Sequence, residues 1–523
     1  MLELFDLNVT TDIGRRQFVK TSFMSLGAMS AISLSACQSS TSAQQILVGV
    51  TSRPRMLDPR KATDALSSRI NRLLYRQLID FNERFEAIPD LATWQQTSDT
   101  RYVFTIKEPT IFPHGEPLTS ADVVATYQSL LDPDFGSAHR GSLKGIVSVT
   151  ALNETQIEFV LDKADALFVG RLVIGILPKS FIEQEHEFQK QPIGSGDCEF
   201  VSLSEQKLVL KRRKDNVELA FIPVKDATVR VLKLKKGELD IVQNDLSPEL
   251  VQYCQKQPEL KVDWHAGTNF GYIGFNFEDP LLAQQALREA IAHGIDRQSV
   301  INAMFSGHAR LAGGLLVPEH WCGVEDMPAY EYNPQKAKRL LNSLDFESLP
   351  PGLVTYNQDN EPMIELSYKT SNDPTRIRLA TIYQSQLKKI GIHLNIQSYD
   401  WGTFYSDIKK GRFQLYSLAW VGIKSPDIFQ YVFDSDAIPP KGANRGRYRD
   451  KTANQLIRTA GQTQSLEKQA ELYKELQHHL HATLATMPLW YEDQYTVARR
   501  NITGYKLYAD GRLDGIVNCH KLA

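Results

Sequence analysis

The sequence predicts an α/β fold, and three observations carry that prediction. Short runs that alternate like strands recur along the 523 residues with helix-like apolar faces between them, capping residues stand where those helices begin, and glycines stand where they end. With 42% hydrophobic and 23% charged residues and a formal net charge of -2, the chain has the make-up of a globular protein. That balance gives no electrostatic footprint for nucleic acid. A chain of this length implies two or three domains at roughly 150 residues each.

Taken in order, the first element is an address. Gly14-Arg15-Arg16-Gln17-Phe18-Val19-Lys20, then a Ser-, Ala- and Gly-rich apolar run ending Leu34-Ser35-Ala36-Cys37, is similar to a twin-arginine export leader, with Gly14 where such leaders usually carry Ser or Thr. The run is too short to span a bilayer, which takes about 20 apolar residues. Leu-Ser-Ala-Cys resembles a lipobox, so residues 1–36 are expected to be a signal peptide and Cys37 the acylated first residue of the mature chain. Gln38 follows it, which by resemblance to lipoprotein sorting permits the outer membrane and leaves the choice of membrane open. Residues 37–45, rich in Ser, Thr, Ala and Gln, form a flexible lipidated tether.

The folded body begins with alternation at Ile46–Val50 and repeats it at Tyr102–Ile106. Thr119 and Asp122 form a capping box for a helix with Val123, Val124, Tyr127 and Leu130 on one face. Leu282–His293 reads as a helix ended by Gly294, with a new start at Asp296. Asn333-Pro334 and Asp373-Pro374 each set a capping side chain before a proline at the first helical position. The second opens a helix carrying Leu379, Tyr383, Leu387 and Ile390 and stopped by Gly391. A strand at Ile392–Gln397, a short helix to Lys410 closed by Gly411, and a strand at Phe413–Ala419 complete a βαβ-type pattern. Cys198, Cys254, Cys322 and Cys519 are widely spaced with no C-x-x-C pair, so no zinc or redox motif is indicated; up to two disulfides or four buried thiols are compatible with the spacing.

Several blocks, in order, resemble the extracellular solute-binding proteins of family 5, the peptide and nickel binders of ABC importers. Pro89-Asp90-Leu91-Ala92-Thr93-Trp94, Phe112-Pro113-His114-Gly115-Glu116-Pro117-Leu118-Thr119, Pro192-Ile193-Gly194-Ser195-Gly196, Leu287-Arg288-Glu289-Ala290-Ile291, Asn333-Pro334 to Leu341 and Gln386 to Ile392 carry the likeness. The resemblance implies a two-lobed periplasmic-binding-protein fold of type II with an extra subdomain in the first lobe and a hinge between lobes. On it, lobe I takes residues 46–270, with the extra subdomain at roughly 83–190; lobe II takes 271–483, and 484–523 returns to lobe I. The crossings are expected near Tyr272–Phe277 and Leu489–Val497. It implies a monomer that does no chemistry on its ligand, a small peptide or peptide-like solute, uses no cofactor, touches the membrane only through its N-terminal lipid, and passes the ligand to permease subunits from the periplasm.

The same resemblance assigns a ligand-contacting stretch, Leu418 to Phe429. Peptide binders carry Trp at the strand end, here Trp420, and three residues on an Asp that pairs with the ligand's ammonium. That position is Ile423, which cannot balance a buried positive charge, whose uncompensated burial costs several kcal/mol. Lys424 is a candidate for a ligand carboxylate or a solvated loop residue, and Asp427 for an amine or a helix cap. Backbone recognition of an extended peptide survives the change at Ile423. Met56 to Ala65 resembles the first cleft loop, with Asp58 a turn residue before Pro59.

Enzyme motifs are missing from the sequence. Ile193-Gly194-Ser195-Gly196 lacks the first glycine of a nucleophile elbow, no P-loop occurs, and Gly267, Gly271 and Gly274 lack dinucleotide-fold spacing. His478, His479 and His481, with Glu475, lie on a helical pattern over Ser465–Leu484 and read as a solvated face before a metal site, so no metal ligand is assigned. The alternatives to a peptide binder are a nickel-type metal-complex binder and an exported hydrolase on a related scaffold.

Overall fold

The computed structural model describes residues 45–345, 347, 354–356, 358 and 362–522. The leader, Cys37 and the tether up to residue 44 lie outside them. Among the described residues no helix is long and apolar enough to cross a membrane.

Buried apolar side chains gather into separate cores, and the chain order of their members defines two lobes. Residues between 46 and 260, with Val497 to Cys519, fill three of them: one over Leu78–Ile176, one joining the first strand to the C-terminal segment, and one around Val231, Leu260 and Val497. The other two draw on residues 270–491, and Phe85 is the one member from the first lobe. Burial of this much apolar surface, at about 25 cal/mol per Å², is what holds each lobe.

Two long strands run from one set of cores to the other. Leu260–Phe275 pairs antiparallel with Met487–Arg499 from Leu260↔Arg499 to Ile273↔Met487, with register shifts between His265 and Asn269 and at Gly271. At the first shift the backbones crowd: a Cβ on Gly267 would lie 2.0 Å from the carbonyl oxygen of Glu492, so only glycine fits. These strands sit mid-sheet. The second-lobe strands Pro362–Ser371 and Leu415–Trp420 lie to one side, and first-lobe strands Ile241–Gln243, Gln45–Val50, Glu218–Pro223, Leu208–Arg212 and Cys198–Leu203 to the other. A four-stranded antiparallel sheet, ordered Ala92–Ser98, Arg101–Ile106, Gln156–Leu161 and Ile146–Ala151, forms the Leu78–Ile176 body.

Local chemistry explains the helices. Asp122 Oδ2 accepts from the Thr119 N–H at 2.7 Å and starts the helix Ser120–Leu131, while its Oδ1 accepts from the Lys179 N–H at 2.7 Å and ties in the next helix. Asp373 caps Pro374–Lys388 through the Arg376 N–H at 3.0 Å, and Asp400 caps Trp401–Lys410, which Gly411 ends in the left-handed region (φ +77). One predicted helix is split. Leu282–His293 is two pieces, Pro280–Ala283 and Gln285–Gly294, because Gln284 is extended and its side-chain amide exchanges two hydrogen bonds with the Asp345 backbone at 3.0 and 3.1 Å. The strand expected at Phe413–Ala419 is Leu415–Trp420. Cys198, Cys254, Cys322 and Cys519 are all buried free thiols.

Candidate ligand-binding site

Between the lobes lies a cavity of about 1100 Å³. The first lobe contributes Val48–Ser52 and Arg55 after the first strand, Asp64–Leu66 and Arg69 on the next helix, and the turn Asn244–Leu246. The second lobe contributes Phe305, His308, the helix start Asp373–Arg376, and Ala419 and Val421. Trp264, Asn269, Glu492 and Asp493 of the crossing strands complete the lining. Of the loop from Met56 to Ala65, only Asp64 and Ala65 reach it. Asp58 is 6% exposed, and its Oδ1 accepts from the Arg60 N–H at 2.9 Å while Oδ2 pairs with the Arg60 guanidinium at 2.7 Å, a turn-forming role that matches the sequence expectation.

The lining holds charge of both signs, little of it neutralised. Asp64 and Asp373 are spent capping their own helices, and Arg230 donates through its two terminal nitrogens to the carbonyls of Val224, Lys225 and Asp245. Arg55, Arg69 and Arg376 pair with no carboxylate of a described residue. Burial pushes the Asp245 carboxyl up, against the pull of Arg69 and Arg230. The residue is nonetheless exposed where it meets the cavity. Burial also pushes Asp493 up, against a Gly267 N–H and the charge of Arg310. Asp493 Oδ1, Asn269 Oδ1 and the Trp264 indole N–H have no hydrogen-bond partner within the protein. Trp264 lies flat on His308, ring centroids 3.5 Å apart. Such a lining suits a ligand with both a cationic and an anionic group.

The four residues singled out in sequence are divided. Trp420 ends the strand Leu415–Trp420; its neighbours Ala419 and Val421 line the cavity while its own ring turns to the opposite face, as strand alternation requires. There the Arg445 guanidinium stands 4.7 Å over it, and Tyr431 meets it edge-on at 6.3 Å. Ile423 is 9% exposed and packs into the second-lobe core. Lys424 pairs with Asp510 at 2.9 Å, and Asp427 with Arg171 at 3.2 Å. Both partners belong to the first lobe, so neither charge is left for a ligand in this arrangement. Asp427 does stand at the start of the helix Ile428–Phe433, but its side chain makes no cap bond and the capping expectation holds for backbone position alone.

Sequence reasoning missed the rest of an aromatic shelf beside Trp420. Trp401, 58% exposed, stacks on Tyr405 at 5.5 Å, and buried Arg445 donates to the hydroxyls of Tyr405 (3.2 Å) and Tyr272 (3.0 Å). Tyr431 and Val421 are also half exposed. Trp401 directly after the Asp400 cap was the available signal, since an exposed Trp in a first helical turn is out of place on a solvated surface. The strand itself has a free edge. Its pairing with Pro362–Ser371 stops at Lys369↔Tyr416, so from Ser417 to Trp420 only the side facing Phe270–Ile273 is bonded to a described strand.

The histidine cluster does not converge. On the helix Leu466–Ala482, His479 Nε2 lies 2.8 Å from Asp450 Oδ1, while His481 stacks on Tyr330, and burial, aided by Arg297, brings its pKa down to about 4. Of the three histidines and Glu475, His478 and Glu475 are exposed, so the expected solvated face holds for those two of the four. Among the described residues no three His, Cys, Asp or Glu side chains come together as metal ligands.

Residues 86–438 match the pattern described as bacterial extracellular solute-binding proteins, family 5, middle region. Over 484 residues the chain is 28% identical to a probable di/tripeptide-binding protein 5 of Pseudomonas aeruginosa, covering 84% of this chain and 89% of that one. The fold is similar to that of the oligopeptide-binding protein AppA of Bacillus subtilis solved with a nonapeptide, with a TM-score of 0.73 at 23% identity over 92% of this chain and all of the other. It is likewise similar to NikZ of Campylobacter jejuni solved with Ni(L-His), with a TM-score of 0.76 at 22% identity and the same coverage.

Proposed function

The chain belongs to the bacterial extracellular solute-binding proteins of family 5, and from that premise we propose that it is the substrate-binding component of an ABC importer, capturing a peptide or peptide-like solute between its lobes for delivery to a membrane permease. The observation that carries this reading is the free edge at Ser417–Trp420, which borders a cavity bounded by both lobes. An extended peptide adds to such an edge as a further strand, its backbone supplying the hydrogen bonds and its side chains falling alternately to the cavity and to the aromatic shelf. On this reading Trp420 is a ligand wall together with Trp401 and Tyr405, and Ile423 supplies apolar surface behind it. The ligand's charged ends meet Arg69 or Arg376 and Asp245 or Asp493 rather than Lys424 and Asp427. We place the lobe boundaries within the crossing strands, between Leu260 and Phe270 and between Tyr491 and Val497.

The reading extends to location: a monomer exported by the twin-arginine route, working in the periplasm and held to a membrane by lipid on Cys37. Its first test is mass spectrometry of what co-purifies with the chain lacking residues 1–37. Free peptides of two to five residues are expected; recovery of only a metal complex, sugar or amine overturns the peptide assignment. Intact-mass measurement of the membrane-extracted protein checks the anchor, since Cys37→Ser is expected to abolish the acyl mass and release the protein.

A further inference from the structure

We infer that Phe85, Lys424 and Asp427 form a latch between the lobes, setting how readily the protein closes without touching the ligand; this rests on the binding-protein reading above. Three separate first-lobe segments converge on one region of the second lobe. The first is a hairpin tip: between the strands Ile79–Phe81 and Ala87–Pro89 the chain carries Phe85 out of its own lobe and into the second-lobe core, where it is 4% exposed. Its ring stacks on His320, centroids 5.4 Å apart and 11° from parallel, and the adjacent Arg84 carbonyl accepts from the Trp321 N–H at 2.9 Å. The second is Arg171, held at 3.1 Å by Asp165 of its own lobe and reaching Asp427 across the gap. The third is Asp510, 4% exposed at its side chain, which holds Lys424 on one oxygen and Arg512 on the other.

These contacts are cross-braced on both sides. His320 Nε2 lies 3.2 Å from the Lys424 carbonyl, joining the hairpin dock to the Lys424 loop. Behind Asp510, Arg512 reaches Asp80 at 2.9 Å, and Asp80 is shared with Arg72 at 2.9 Å. Asp80 lies in the hairpin strand that carries Phe85, so two of the three arms are one structure. None of Phe85, His320, Lys424, Asp427, Arg171 and Asp510 lines the 1100 Å³ cavity.

Phe85 also stands at φ +62, in the left-handed region that bulky side chains avoid. The turn itself holds this backbone, with the Phe85 N–H donating to the Asn82 carbonyl at 3.1 Å and the Asn82 N–H to the Glu86 carbonyl at 3.0 Å, so the hairpin presents the ring to the other lobe already formed. When the lobes part, Phe85 loses its pocket, while Asp510 keeps Arg512 and Arg171 keeps Asp165. Opening therefore leaves no buried charge stranded, which makes the latch reversible. Because a ligand binds productively only as the lobes close, apparent affinity scales with the closed fraction, and residues of the latch change affinity from a distance.

The test needs no ligand. Distances between spin labels placed on exposed residues, Lys163→Cys in the first lobe and Glu471→Cys in the second, are measured by electron-electron resonance in the ligand-free chain lacking residues 1–37. Asp427→Arg and, separately, Phe85→Ala are expected to raise the open-to-closed ratio at least about tenfold, the order expected when attraction in a partly exposed pair is turned into repulsion or an apolar plug is lost. Exchanging the charges, Asp427→Arg with Arg171→Asp, together with Asp165→Asn to remove the carboxylate that would face the new one at position 171, is expected to restore the wild-type distribution, which no general loss of stability reproduces; urea unfolding confirms that each variant is folded. Distributions unchanged in both single variants, or a charge exchange that does not restore closure, overturn the latch. If the latch holds and no peptide is recovered by mass spectrometry, the ligand assignment alone has failed.

Discussion

Acid is expected to destabilise this protein through His320. The imidazole is 3% exposed, stacked on Phe85, with Nε2 3.2 Å from the Lys424 carbonyl and Nδ1 3.3 Å from the Cys322 N–H. Burial brings its pKa down to about 4, overriding the opposite pulls of the Lys424 carbonyl and Glu86, whereas in the unfolded chain it is near 6.5. Above pH 6.5 both states hold the ring neutral and the site's contribution is intact. As the pH falls from there toward 4, the unfolded chain takes up a proton that the folded protein refuses, so stability is lost across that window, by about 3 kcal/mol when it is complete. Urea unfolding measured from pH 7.5 to 4 at constant ionic strength reads this directly. His320→Gln, which keeps a donor for the Lys424 carbonyl and does not titrate, is expected to lose about 3 kcal/mol less than wild type over the range. His481, also depressed to about 4, titrates in both proteins and cancels in the difference. Parallel curves for the two proteins would refute the assignment of a buried neutral imidazole at this position.

Three further outcomes are expected. Trp420→Ala weakens binding of the ligand recovered from the native protein at least tenfold, about 1.4 kcal/mol by calorimetry, and unchanged affinity removes Trp420 from the site. Asp122→Ala strips acceptors from the Thr119 and Lys179 N–H groups at once and lowers unfolding free energy by about 2 to 3 kcal/mol, while Asp122→Asn, which keeps an oxygen, costs less; equal losses would show that the two bonds carry little. Cys198, Cys254, Cys322 and Cys519 stay unreactive to Ellman's reagent in the native protein and all react in denaturant without reductant, since each is buried and burial pushes each thiol up; a pair that reacts only after reduction would show a disulfide.

Much of the fold was legible because the signals are short-ranged. A cap such as Asp373 or Asp296 bonds three residues ahead, and Gly411 ends its helix by its own backbone freedom, so both can be read without knowing what packs nearby. Gln284 shows the limit: the helix breaks there because the Asp345 backbone comes to meet it, a partner that no local pattern announces. The stretch from Leu418 to Phe429 divides the same way. That Ile423 provides no counter-charge is a property of its side chain and was readable at once, as was the apolar strand leading to Trp420.

What Lys424, Asp427 and Phe85 do was not readable. Each carries an ordinary loop or hairpin signal, and each is assigned by a partner on the other lobe: Asp510, Arg171 and His320. By itself the sequence determined an α/β body whose caps, strands and family blocks place its elements, and the absence of a counter-charge on Ile423, because those depend on residue type and near neighbours. Tertiary structure decided which charges remain for a ligand. The two crossing strands set where the lobes rest against each other, and only that placement spends Lys424 and Asp427 on the protein itself while leaving Arg55, Arg69 and Arg376 in the cavity paired with no carboxylate of a described residue.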